Sequence, residues 1–196
     1  MGPVVEGAVD ADPDAPMKTP VALFILATSP WASADPGPAA LDFLKVPGGT
    51  RIFPERTPFD AGKLPEGLAA VLPKLVMDDD AGKPPVPHSG FTFDLNKDGK
   101  SDYFVHVRYA SGSGGPYHEV YSEIGGAWQS IMGFQGMIHV VPAEKGWPRL
   151  VTTSRGGGGH FAKLIWHFDG KKYRCNLIER FANGKITNEV PDWSER

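Results

Sequence analysis

Disulfide bonding is the first thing this chain lacks. Its 196 residues include a single cysteine, Cys175, so no internal bridge can form. A run long enough to anchor it in a bilayer is missing too. The apolar stretch Val21 to Ala27 falls far short of the roughly 20 residues a membrane-spanning helix needs, which argues against a permanent membrane anchor. Nor is there an excess of one charge: 20 Lys and Arg stand against 23 Asp and Glu, a formal −3. Residues 1–34 hold Glu6, Asp10, Asp12 and Asp14 against Lys18, which accounts for the whole imbalance. From Asp35 onward the chain is neutral, with no electrostatic footprint for nucleic acid or an anionic membrane.

Several catalytic and metal signatures are also missing. None of the 6 histidines stands at HExxH or comparable ligand spacing. The glycine loops Ser111 to Gly115 and Gly156 to Gly159 are not followed by the Lys-Ser/Thr and helix of a phosphate-binding loop. They read as wide hairpin ends. Ser154, His160 and Asp169, or Glu119 and Glu123, can be assembled as acid–base sets on paper, but no nucleophile elbow supports them. Cys175 lies in the alternating stretch Tyr173 to Leu177, where a free thiol behaves as a small hydrophobe.

What is present begins with an export signal. Lys18 gives a minimal positive start and Val21 to Ala27 an apolar core. Pro30 breaks the helix, and Ala32-Ser33-Ala34 offers a small-x-small cleavage pattern. Met17 to Ala34 therefore reads as a signal peptide, cleaved before Asp35, and the protein is expected to be periplasmic or secreted. Residues 1–16, acidic and proline-rich, read as a gene-call extension or a disordered leader.

Residues 35–89 are rich in proline and glycine, with one helical candidate. Leu64-Pro65-Glu66 can open it, and Leu68, Val71, Leu72, Leu75 and Val76 keep helical spacing. Pro73 predicts a kink, and Asp78 to Asp80 end it in an exposed connector. Residues 90–196 change character to short β-branched and aromatic runs separated by glycine turns. Strands are expected at Tyr103–Tyr109, Tyr117–Ile124, Ala127–Met132, Met137–Val141, Arg149–Ser154, Phe161–Phe168 and Lys171–Leu177. Asp169-Gly170 predicts a two-residue hairpin and Asn183-Gly184 a further one. Two stretches offset by about 45 residues share the order strand, glycine loop, strand, tight turn, strand. The fold class expected is mainly β: an antiparallel sheet of two blade-like units with a short N-terminal helical segment.

The stretch Asp94 to Asp102, DLNKDGKSD, carries the most specific chemistry. Asp94, Asn96 and Asp98 place oxygen ligands at alternate positions, and Gly99 allows a left-handed turn. Lys100 offers its backbone carbonyl, and Asp102 closes the set. That is how a short loop wraps a hard cation such as Ca2+. An EF-hand is excluded, because its twelfth position is Val105 rather than glutamate and strands flank the loop. With Phe93 before it and an apolar strand after it, the stretch resembles the calcium loops of FG-GAP and VCBS-type repeats. The resemblance covers about residues 91–110 and implies an extracytoplasmic β unit with structural calcium. The second unit has Ala143 to Pro148 where another copy would stand.

Two functions of different class follow as expectations. One is an exported, calcium-stabilised β domain acting as a non-enzymatic binding or scaffold module for a peptide, protein or glycan. The other is an envelope hydrolase with its site on the glycine-rich loops.

Overall fold

A computed structural model describes residues 37–52, 57–59, 63–72, 88–107 and 110–192, all within one compact unit, Ser33–Arg196. The leader 1–16, the signal segment Met17 to Ala34, the acidic run Asp78 to Asp80, and Leu75 and Val76 of the expected helix lie outside these residues.

The β-rich half folds as its turn chemistry directs. Strands β3 (Ser89–Phe93), β4 (Asp102–His106), β5 (Tyr117–Ile124) and β6 (Ala127–Gln135) form one antiparallel meander, extended at its edge by β2 (Thr57–Pro58). Strands β7 (Met137–Val141), β8 (Arg149–Arg155), β9 (Phe161–Phe168), β10 (Tyr173–Ala182) and β11 (Lys185–Glu189) form a second, with β1 (Thr50–Ile52) beside β7. The expectation of a mainly β, antiparallel fold holds, with two sheets rather than the one expected. Each contains the same succession: β4-β5-β6 in the first and β8-β9-β10 in the second.

Two tight turns have both central residues at positive φ, Gly125-Gly126 at 61° and 82° and Asn183-Gly184 at 51° and 74°. Both therefore match the right-handed twist of their flanking strands. The turn at Asp169-Gly170 departs from expectation. Phe168 pairs with Tyr173, so the loop has four residues. Asp169 closes it by accepting the Lys171 and Lys172 N–H groups at 2.9 and 2.8 Å, an Asx turn that outcompetes the shorter hairpin.

The chain changes sheets at Gly136, between β6 and β7. Its φ is +90°, and a Cβ there would fall 2.2 Å from the Thr153 carbonyl oxygen. A side chain would block this close crossing. The core lies between the sheets. Phe104, Val120, Ile131, Met132 and Phe134 of the first pack with Ile138, Val140, Leu150 and Tyr173 of the second.

The N-terminal region differs more from its sequence reading. A helix α1 (Pro38–Phe43), not foreseen, places Ala40 and Phe43 against Phe161 and Phe181 on the second sheet. Proline at its first turn costs no hydrogen bond. The expected helix is present as α2, four residues long (Leu68–Val71). With Leu72 it buries Leu68 against Val105 and Tyr121 on the outer face of the first sheet.

Candidate functional site

The acidic loop joins β3 to β4 and is fastened to the core at both ends. Leu95 is buried in the inter-sheet cluster, and its N–H donates to Asp102 Oδ2 at 2.8 Å. Between these anchors the chain wraps around Asp94. Its Oδ1 accepts the Asp98 N–H at 3.2 Å and its Oδ2 the Gly99 N–H at 2.9 Å. Asn96 Oδ1 takes a share of the Asp98 N–H at 3.2 Å, and its Nδ2 donates to Asp98 Oδ2 at 2.9 Å. Asp98 Oδ1 accepts the Lys100 N–H at 2.8 Å. Lys97 and Gly99 take left-handed φ values of 58° and 86°, which lets the loop close on so few residues.

Asp102 sits differently from the other acids. It is 3% exposed, beneath the loop rather than at its rim. Burial pushes its carboxyl up from 3.8 to about 6, and the charges of Asp98 and Asp94 push the same way; the Ser122 hydroxyl and the Leu95 N–H oppose the shift. Asp98, by contrast, is held below the usual carboxylate range by the Lys100 N–H and the Asn96 amide. The Lys100 side chain turns to Glu123 on β5, Nζ to Oε2 3.0 Å, and its charge adds only a smaller downward push on Asp98.

The structure thus keeps Asp94, Asn96 and Asp98 together and sets Asp102 below them. Among the described residues no group of three or more His, Cys, Asp or Glu side chains converges on one point. The donors are oxygen only, the chemistry of a hard cation. A buried carboxylate whose named partners, the Leu95 N–H and the Ser122 hydroxyl, are both neutral is the kind of group a cation stabilises. In kind and order the donors match the expected calcium loop, while the Asp94 and Asp98 oxygens accept from the loop's own N–H groups and the Asn96 amide. Asp94, Asn96, Asp98, the Lys100 carbonyl and Asp102 are those that would hold the ion.

The glycine loops share one end of the molecule, where Gly136 meets both the Gly114 carbonyl and Ser154. They do not build the rim of Tyr117, His118, His160 and Phe161 that side-by-side loops would imply. His118 is fully buried, stacked on Phe134 with ring centroids 5.3 Å apart. Phe161 is buried under α1. Each loop closes on itself: Gly115 N–H donates to the Gly112 carbonyl and Gly156 N–H to that of His160.

The paper catalytic sets do not assemble. His160 and Asp169 flank opposite ends of the eight-residue β9, on the order of 25 Å apart at strand rise. Glu119 accepts the Tyr121 hydroxyl, while Glu123 is taken by Lys100. Ser111 Oγ lies 3.2 Å from His106 Nε2, but it also accepts the Tyr117 N–H at 3.1 Å and so closes a turn. Cys175 is buried, and burial pushes its thiol up, away from the reactive thiolate.

A feature the sequence reading passed over lies at the β7–β8 loop. Trp147 stacks on Phe168 with centroids 4.2 Å apart, and both meet Tyr173 edge-on. The Tyr173 hydroxyl donates to the Pro148 carbonyl at 3.0 Å. Beside them opens a cleft of about 450 Å³ whose lining includes Pro142, Trp147, Arg149, His167 and Phe168. Burial and the Asp102 charge both push the Tyr173 phenol up, so the aromatic cluster and the base of the acidic loop are electrostatic neighbours. The density of aromatics at Trp147, Trp166, Phe168 and Tyr173 was the available signal. Their convergence needed the strand register. The chain matches no protein-family model, no curated protein and no solved structure.

Proposed function

We propose that this protein is an exported binding or scaffold module, non-enzymatic, whose β3–β4 loop is stapled by calcium. The observation that carries the reading is Asp102, a carboxylate 3% exposed at the base of the loop and bonded to the Leu95 N–H, where burial and the charges of Asp98 and Asp94 push it up. A divalent cation in the loop supplies the missing countercharge and ties Leu95, and with it the inter-sheet core, to the loop. Export rests on the Met17 to Ala34 segment, and calcium is abundant outside the cytoplasm. The aromatic cleft at Trp147 is the surface proposed to take the peptide, protein or glycan ligand, since aromatic faces with an exposed Arg149 suit such partners.

The test is thermal unfolding with EDTA and with millimolar calcium, for the parent chain and an Asp94→Ala/Asp98→Ala variant. An ion that binds only the folded form at 100 times its dissociation constant adds about 2.7 kcal/mol, a rise of several degrees in a domain of this size. The expected outcome is a calcium-dependent rise in the parent that the variant lacks. No shift in either protein refutes the calcium staple.

A further inference from the structure

Among the described residues the two sheets present four edge strands, and three of them are blunted. β1 is three residues long and β2 two, the latter ending in proline. β6 breaks register against β5 between Val120 and Tyr121, and its Gln129 reaches across to the Lys171 carbonyl. Short strands, proline and bulges are standard protections against unwanted strand pairing. β11 has none of these three and carries charge instead, Lys185 and Glu189. It runs in unbroken register with β10, Ile178↔Glu189 to Ala182↔Lys185. All five of its residues are exposed. Ile186 is 58% exposed and Val190, just past the strand, 76%.

The open edge is complementary to itself. When two copies of Lys185-Ile186-Thr187-Asn188-Glu189 run antiparallel about a two-fold axis at Thr187, Lys185 of each faces Glu189 of the other. Ile186 then faces Asn188, and the two Ile186 side chains lie diagonally on one face at roughly 7–8 Å, within contact range. Glu189 already accepts from Arg180 of its own chain at 3.2 Å, so the pairing sets each Glu189 between two cations. Other antiparallel registers lose both cross-pairs, and parallel in-register pairing opposes like charges. A symmetric contact of this kind is the usual route to a dimer.

We propose that β11 is a self-association edge through which two copies join their six-stranded sheets antiparallel, centred on Thr187. Five residue pairs bury far less than the roughly 1,200 Å² of a stable interface. The dimer is therefore concentration-dependent, with a dissociation constant of roughly tens to hundreds of micromolar. The inference is independent of the calcium reading and holds equally in EDTA.

Sedimentation velocity of the full chain in EDTA, from about 10 µM to 1 mM, tests it, beside Lys185→Glu, Glu189→Lys and the double exchange. These positions are exposed, so the variants keep their fold, which far-UV circular dichroism verifies. Each single exchange opposes like charges at two symmetry-related places and weakens association by roughly tenfold or more. The double exchange restores opposite charges across the axis and recovers part of the loss, since it also removes the Arg180–Glu189 pair within each chain. A parent chain that stays monomeric over the whole range overturns the proposal, and so does a dimer that the single exchanges leave unchanged.

Discussion

Asp102 is a buried carboxylate that accepts the Leu95 N–H at 2.8 Å but carries its charge out of water. Because its folded value is raised, its contribution to stability is full below 3.8 and is lost as pH rises through about 6. At pH 7 without calcium, the ionised group costs on the order of 2–3 kcal/mol. Asp102→Asn keeps an acceptor for the Leu95 N–H and removes the charge. In EDTA the variant is expected to melt above the parent at pH 7, with the gap closing by pH 4. Melting curves between pH 4 and pH 8 check this. A variant less stable than the parent at pH 7 would mean that the bonds to Leu95 and Ser122 outweigh the charge. Added calcium should then raise only the parent.

At the scale of elements, the passage from β6 to β7 is the most constrained point of the chain. Gly136→Ala must accept a φ of +90° and a Cβ 2.2 Å from the Thr153 carbonyl oxygen. Backbone strain and overpacking together predict a loss of about 2–4 kcal/mol in urea unfolding. Gly125→Ala, with a φ of +61° but open space around it, isolates the strain alone and is expected to cost about 1–2 kcal/mol. Equal losses at the two sites would show that the close approach at Gly136 relaxes freely. The strands themselves were largely legible: β5, β7 and β9 have the limits that alternation and glycine turns predicted. β6 and β10 run on to Gln135 and Ala182, because pairing partners extend a strand beyond its own alternation. The helices were less legible. α1 and α2 have six and four residues, too short for periodicity to mark them, and they exist by packing on the sheets.

For the whole molecule, one core joins both sheets, since Phe104 and Val120 of the first pack with Ile138 and Leu150 of the second. Unfolding is expected to be a single transition. Trp128, on the outer face of the first sheet, and Trp147 and Trp166, against the inter-sheet core, should report the same midpoint in fluorescence as the backbone does in far-UV circular dichroism. Leu150→Ala should lower both signals together, by about 2–5 kcal/mol. Separate midpoints would mean that the sheets melt independently and that the shared core adds little coupling.

The sequence by itself determined the features written in local chemistry. Glycine and asparagine at tight turns, alternation in the strands and the oxygen-bearing side chains from Asp94 to Asp102 act over a few residues, so each can be read without knowing its neighbours in space. The tertiary structure alone decided which of these meet. It placed Asp102 under the loop rather than on its rim and buried His118 between aromatic rings. It also brought Trp147 onto Phe168 and Tyr173 and left β11 as an open edge. All of these depend on strand order and on how two sheets stack, and both are set by non-local burial that no window of sequence contains.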